Sequence, residues 1–195
     1  MKKILLTVLM AGSLASARAN LFNYDVILNG PSESPANASP GTGIGFVSYN
    51  DVTHLMSLNL TFSGLVGTTS ASHIHAATAS PFTGTAGVAT TTPTLAGFPL
   101  GVSSGSYANT LDMTQATSYN GSYITANGGT TAGAEAALFA AMQSGKAYWN
   151  IHSTSFGGGE IRGFLVVPEP SSLSLAGLGA VGMMVRAWKR QGQTK

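Results

Sequence analysis

Short apolar segments along the chain are separated by stretches rich in Gly, Pro and Asn, which is the pattern of a domain built mainly from β-strands. Residues 54–62 show it most clearly, because a large apolar side chain recurs at every second position. Side chains of a strand point alternately to its two faces, so this segment predicts a strand with one buried face. The residues of that face are Met56, Leu58, Leu60 and Phe62. Further strands are predicted at residues 24–28, 45–49, 147–152 and 160–166.

One segment departs from the strand pattern. Residues 131–144 are rich in helix-forming residues and are followed by Gly145, which predicts a helix of about three turns. Residues 76–107 hold isolated apolar side chains among Thr, Ala, Gly, Ser and Pro, which is typical of short strands and long surface loops. Because no βαβ alternation is visible, the expected fold is mainly β, an antiparallel sandwich or barrel with one short α-helix.

Composition and charge narrow the class of protein. Of the 195 residues, 44% are hydrophobic and 8% are charged, a balance that excludes an intrinsically disordered chain. The net charge of +2 comes from the two ends, because residues 20–167 carry two basic and six acidic side chains, a net charge of −4. We therefore expect no nucleic-acid partner. The chain has no Cys, so an exported domain of this sequence must build its core without disulfides.

The N-terminus has the three parts of a secretory signal peptide. Lys2 and Lys3 precede an apolar run over residues 4–14, and Ala17 and Ala19 form a small-residue cleavage site. We expect cleavage after Ala19. An uncleaved membrane anchor is the alternative, although the apolar run is shorter than the roughly 20 residues that span a bilayer.

The C-terminus, residues 168–195, has a second tripartite arrangement. Pro168, Glu169 and Pro170 precede a small and apolar stretch over residues 173–185, and a basic cluster follows it. This tail resembles the PEP-CTERM sorting signal of Gram-negative bacteria. The resemblance implies a transmembrane helix that holds the protein transiently in the inner membrane until an exosortase-type membrane protease recognises the tail. Release or transfer to the cell surface or exopolysaccharide matrix would follow, and an ordinary single-pass anchor is the alternative.

Three histidines and one carboxylate are the candidate chemistry of the central domain. His73 and His75 are two positions apart in a predicted strand, so their imidazoles share one face. If that strand meets the strand of His152, with Glu160 at the start of the next, the group is sufficient to hold zinc or copper. We nevertheless favour a hydrogen-bonded polar cluster that fixes strand register. The metal site is the alternative, with Glu160 as its fourth ligand or as the partner of Arg162. His54 is expected to be an ordinary surface residue.

The same motifs resemble the CHRD domain, a module first named from chordin. The matching segments are residues 29–35, 41–43, 64–65, 72–75, 148–153 and 159–163, among them Asn150, Gly159, Ile161, Arg162 and Gly163. The resemblance covers about residues 22–167 and implies an immunoglobulin-like β architecture and an extracellular location. This chain departs from the usual pattern by carrying Ala76 and Ala77 after the His-x-His pair.

Enzymatic motifs are weak. The serines lack the Gly-x-Ser-x-Gly setting of a hydrolase, and the glycines at 157–159 precede a strand and not a helix, so they do not form a phosphate loop. We therefore expect a non-catalytic binding or structural protein with no certain cofactor. Its expected partners are the secretion machinery, an exosortase, and exopolysaccharide or other surface proteins. A zinc- or copper-binding domain with redox activity is the alternative.

Overall fold

The computed structural model of the protein describes residues 20–168. The predicted signal peptide and the predicted transmembrane sorting helix lie outside the described residues. The same holds for four residues of the predicted processing sites, Ala17, Ala19, Glu169 and Pro170. Within residues 20–168, no helix has the length and apolar character needed to cross a membrane.

Seven strands and two α-helices make up the described domain. The strands are β1 (Leu21–Asn29), β2 (Thr42–Asn50), β3 (Leu55–Ser63), β4 (Thr69–His75), β5 (Gly105–Asp112), β6 (Tyr148–Ser153) and β7 (Ile161–Phe164). The helices are α1 (Gly121–Ala126) and α2 (Thr131–Gln143), preceded by a 3₁₀ turn at Ala116–Ser118.

All strand pairs are antiparallel and form one sheet in the order β4-β6-β7-β1-β2-β3-β5. The sheet is curled. Tyr107 of edge strand β5 therefore contacts Trp149 of β6, near the opposite edge, with ring centroids 6.3 Å apart. The mainly β, antiparallel prediction is confirmed, and the architecture is a half-barrel formed by one sheet. The expected alternative of an immunoglobulin-like sandwich was wrong, because hydrogen-bonded ladders join all seven described strands in one sheet.

The core lies on the concave side of the sheet. All four apolar residues predicted for the inner face of β3 are at most 3% exposed, which confirms that face. On neighbouring β2, Gly45 faces the core where the side chain of Val26 leaves no space for another. A Cβ at position 45 would lie 2.7 Å from Val26 Cγ1. Helix α2 covers the open side and buries Leu138 and Met142, and Phe139 packs edge-on against Phe22 at 4.7 Å.

The sequence predicted one helix, whereas residues 20–168 contain two α-helices. Helix α1 was missed because it has only six residues and no apolar periodicity; its start is set by Asn120, whose side chain accepts a hydrogen bond from the amide of Ser122. Residues 76–104 form a long connection, which bonds to the free edge of β4 through Ala89 N to Ile74 O at 2.9 Å.

Strands β1 and β7 are joined by a short ladder. One register pair links Asn29 to Arg162, and Asp25 and Val166 exchange two backbone hydrogen bonds of 2.9 Å. The three-stranded part β4-β6-β7 therefore diverges from the rest of the sheet. Its outer face is covered by the loop after β1 and by residues 80–88, which makes it buried on both sides.

Candidate metal centre

Strands β4 and β6 lie side by side and carry the three histidines that were predicted to converge. His73 is paired with Asn150 and His75 with Tyr148 across the antiparallel ladder. Residues two apart in a strand share a face, so both histidines of β4 project to the outer, loop-covered side, together with His152 of β6. Tertiary pairing thus brings together side chains that are far apart in the sequence.

The three imidazoles form a compact group. One ring nitrogen of each histidine lies within 4.8 Å of one from each of the others. Ring centroids are 5.3 Å apart for His73 and His152 and 5.8 Å apart for His73 and His75. His73 and His75 are 6% and 7% exposed, and His152 is partly buried, so the group has little contact with solvent.

Each imidazole is fixed by one backbone carbonyl. A carbonyl oxygen only accepts hydrogen bonds, so the ring nitrogen facing it carries the proton, and the other nitrogen of the neutral ring keeps its lone pair. The three bonds run from His73 Nε2 to Pro93 O (2.7 Å), from His75 Nδ1 to Ala86 O (2.9 Å) and from His152 Nδ1 to Gly157 O (3.0 Å).

The opposite nitrogens are buried and have no hydrogen-bond partner within residues 20–168. They are His73 Nδ1, His75 Nε2 and His152 Nε2. Burial lowers the pKa of all three imidazoles because it removes the solvation of the charged form, and it lowers that of His75 to about 4. The three rings are therefore neutral at pH 7, each with a free lone pair.

This donor set fits a transition metal. Neutral imidazole is a ligand of zinc and copper, and metal-bound histidines commonly donate their second ring nitrogen to a carbonyl or carboxylate. Ligand nitrogens around one tetrahedral zinc ion are about 3.4 Å apart. One ring nitrogen of each histidine lies within 4.8 Å of one from each of the others, so the group is already close to that spacing.

A stacked layer continues the site from β4 towards β7. The ring of Tyr148 lies on that of His75 with centroids 4.8 Å apart and planes at 9°. The guanidinium of Arg162 lies over the Tyr148 ring, with Cζ 4.7 Å from its centroid, and Nε is 3.8 Å from Glu33 Oε2. Burial raises the pKa of Glu33 to about 7, although the charge of Arg162 opposes the shift.

Glu160 does not join the histidines, so its predicted roles as fourth ligand and as partner of Arg162 do not match the structure. Its carboxylate accepts hydrogen bonds from Ser39 Oγ at 2.6 Å, Val66 N at 2.5 Å and Gly67 N at 3.2 Å. Burial alone would raise the pKa of Glu160, but these bonds and one from Ser153 lower it. The residue precedes β7, so the period of two that places Arg162 does not govern its direction.

Glu33 takes the place beside Arg162. It was recognised only as part of an opening motif, because its approach depends on the loop after β1 folding back over β7. Arg162 also donates to the carbonyls of Ser32 (2.5 Å) and Gly84 (3.0 Å), which ties two covering loops to the strand.

The remaining motif residues have identifiable positions. Gly159 has φ +132°, and a Cβ there would lie 2.6 Å from Asn150 Nδ2 and 2.7 Å from Glu33 Oε1, so the position excludes a side chain. Ile161 is fully buried in the core, and a Cβ on Gly163 would collide with the backbone of β1. These residues therefore fix how closely β7 and the loop before it approach β1, Asn150 and Glu33.

Two further residues support β4 from the core side. Trp149 Nε1 donates to Ser72 Oγ at 2.8 Å, and that hydroxyl donates to the carbonyl of Asn150 at 3.0 Å. The alternation that puts His73 outside puts Ser72 inside, but the indole partner follows only from the strand pairing.

His54 is not a plain surface residue as expected. Its Nδ1 lies 2.8 Å from Glu135 Oε1, which also accepts from Tyr49 Oη at 2.6 Å, so it helps to attach α2 to the sheet. This contact lies apart from the three-histidine group.

Comparisons with known proteins agree with the motifs. The family model of the CHRD domain matches residues 24–165, and that of the PEP-CTERM protein-sorting motif matches residues 166–191. The chain therefore belongs to the CHRD family and carries a PEP-CTERM sorting signal, as the sequence predicted. No curated protein and no solved structure matches the chain.

Proposed function

We propose that this protein is an exported, exosortase-sorted surface protein whose CHRD domain binds one zinc or copper ion through His73, His75 and His152. The observation that carries the proposal is the pairing of three carbonyl-held imidazoles with three buried, unpartnered ring nitrogens. Its role is that of a binding domain and not of an enzyme.

A purely structural histidine cluster fits the contacts less well. Such a cluster would pair its polar atoms, because an unsatisfied buried donor or acceptor costs about 1–3 kcal/mol. Here three acceptors remain unpaired side by side. A metal ion would satisfy all three at once, which offsets the cost of burying them.

The sorting signal supports the location. A tail of this class implies processing by an exosortase-type system. We propose that the signal peptide is removed after Ala19, that the tail holds the chain in the inner membrane until processing, and that the CHRD domain then resides at the cell surface or in an exopolysaccharide matrix.

Contact with other surface components is a second proposed role. On the outer face of β1 and β2, Ile27 and Ile44 are direct cross-strand neighbours and are 67% and 71% exposed. Exposed neighbouring apolar side chains are a common feature of interaction surfaces. Replacing both by Ser should reduce retention of the protein at the cell surface and leave its metal content unchanged.

The metal site is tested by elemental analysis of the exported protein. We expect about one zinc or copper per chain, and none in a variant in which His73, His75 and His152 are all Ala. His54→Asn is the matched control, since Asn tolerates the left-handed backbone at that position (φ 57°) and the residue lies outside the group. If the wild type retains neither ion after separate loading with zinc and with copper, the proposal is overturned.

A further inference from the structure

The charged groups around the three histidines affect how strongly the site binds a monovalent or a divalent metal ion. All three ligands are neutral, and no Asp, Glu or Cys of residues 20–168 belongs to the group. The cation Arg162 lies in the stacked layer that adjoins His75. The carboxylate of Glu33 lies on the Arg162 side, and that of Glu160 is engaged by loop amides.

Arg162 is one aromatic ring away from the candidate ligands. Its guanidinium lies 4.7 Å from the Tyr148 centroid, and that ring is stacked on His75 at 4.8 Å. Its hydrogen bonds to the carbonyls of Ser32 and Gly84 hold it in place. A metal ion bound by the histidines would thus add positive charge to a buried layer that already contains a fixed cation.

The cost of burying an ion rises with the square of its charge, so a divalent ion is penalised about four times as much as a monovalent one in the same site. Zinc sites also almost always complete four ligands. Within the described residues the group supplies three, so zinc here would need a water as its fourth ligand. The unpartnered ring nitrogens of all three histidines are buried, which restricts access of that water.

We propose that the three-histidine centre binds copper as Cu(I) in preference to Zn²⁺. The inference rests on the proposed metal-binding function and adds the identity and oxidation state of the ion. Imidazole nitrogen is a ligand of both copper and zinc, so the donor atoms themselves do not discriminate between the two metals. The discrimination comes from the single charge of Cu(I) and from its ability to be complete with three ligands. No electron transfer is implied, because the ion is bound as Cu(I) supplied under reducing conditions.

The test is a pair of competition titrations of the exported protein. Cu(I) is titrated without oxygen against bicinchoninate, and Zn²⁺ is titrated against a chromophoric zinc chelator. We expect Cu(I) to bind at least 100-fold more tightly than Zn²⁺. A preference for Cu(I) of less than 100-fold, or tighter binding of Zn²⁺, would overturn the inference while the proposed metal site stands. Failure of both ions to bind would overturn the proposed function itself.

Variants of Arg162 test whether its positive charge causes the preference for Cu(I) over Zn²⁺. Arg162→Gln removes the positive charge and should raise the Zn²⁺ affinity about tenfold relative to Cu(I), whereas Arg162→Lys should not. At pH 8, where Glu33 is ionised, Glu33→Gln removes the opposing carboxylate and should lower the relative Zn²⁺ affinity. The charge argument therefore remains testable if Arg162→Gln does not fold. Unchanged metal preference in the folded charge variants would contradict the electrostatic explanation.

Discussion

The imidazole of His75 and the phenol ring of Tyr148 lie face to face, with centroids 4.8 Å apart and planes at 9°. Both side chains also reach Ala86: His75 Nδ1 donates to its carbonyl at 2.9 Å, and Tyr148 Oη lies 3.3 Å from the same oxygen. The stack and the shared carbonyl together fix the direction of the unpartnered His75 nitrogen, which makes Tyr148 a positioning residue.

We expect Tyr148→Leu to weaken metal binding by about 10- to 100-fold, the effect usual for residues that orient a metal ligand. Tyr148→Phe keeps the stack and loses only the contacts of the hydroxyl, so its loss should be a few-fold. Competition titration measures both affinities. Equal affinities in the two variants would show that stacking does not position His75.

The apo protein should lose stability in acid because of His75. Its folded-state pKa of about 4 lies below the ordinary value of 6.5, so the unfolded chain takes up the proton first as the pH falls. The stabilisation is complete above about pH 6.5 and is lost progressively down to about pH 4. Between pH 7.5 and pH 4 the wild type should lose about 3 kcal/mol more free energy of unfolding than His75→Gln.

Denaturant unfolding of the metal-free proteins at several pH values checks this difference. His54→Asn provides the control background, because it removes the contact with Glu135 and keeps His75 buried. The pH-dependent difference between His54→Asn and the double variant His54→Asn/His75→Gln should equal that between the wild type and His75→Gln. A wild type that is no more acid-sensitive than His75→Gln would mean that His75 is not buried as a neutral ring.

Glu33 should have the opposite pH dependence. Its folded-state pKa of about 7 lies above the ordinary value of 4.5, so the folded protein retains a proton that the unfolded chain has lost. This stabilisation is present below about pH 4.5 and is lost as the pH rises through about 7. Between pH 5 and pH 8, the stability of Glu33→Gln should therefore gain about 2 kcal/mol relative to the wild type.

The same unfolding measurements test Glu33. The relevant quantity is how the difference in free energy of unfolding between Glu33→Gln and the wild type changes with pH. A constant difference from removing the contact with Arg162 does not affect it. A difference that is flat from pH 5 to pH 8 would contradict a buried carboxyl of raised pKa.

Gly159→Ala should destabilise the domain by about 2–4 kcal/mol, because the added methyl group is placed at φ +132° against Asn150 and Glu33. The neighbouring Gly158 provides a matched control, since a Cβ there meets nothing within 4 Å. We expect Gly158→Ala to change stability by no more than about 0.5 kcal/mol. Thermal unfolding of both variants compares them, and equal losses would disprove the steric role of Gly159.

The predicted cleavage after Ala19 would convert the backbone nitrogen of Asn20 into a charged amino group. That nitrogen lies 2.9 Å from Asp51 Oδ1, and Asn20 Nδ2 lies 3.0 Å from Oδ2. We expect the pKa of the mature amino terminus to be lower in Asp51→Asn than in the wild type, because a nearby carboxylate favours the charged amine. The pH dependence of N-terminal acylation measures it, with Asp25→Asn as control.

N-terminal sequencing of the exported protein must accompany that experiment. A mature chain that begins at Asn20 but has the same amine pKa in both proteins would show that Asp51 does not hold the terminus. A different first residue would mean that the cleavage prediction was wrong.

Local pattern alone determined much of the β architecture. The alternation from Met56 to Phe62 specifies which face of β3 is buried, since a strand has a period of two whatever it pairs with. The same period places His73 and His75 on one face. The order of short motifs was also sufficient to identify the CHRD family and the sorting signal, because both are defined by sequence.

Tertiary structure decided what the site contains. The pairing of β4 with β6 brings His152 to the other histidines, and loops supply the carbonyls of Ala86, Pro93 and Gly157 that set the proton on each imidazole. It also turned Glu160 away to loop amides and put Glu33 beside Arg162. These outcomes depend on contacts between distant segments and on which buried polar group finds a partner, and neither is encoded in local periodicity.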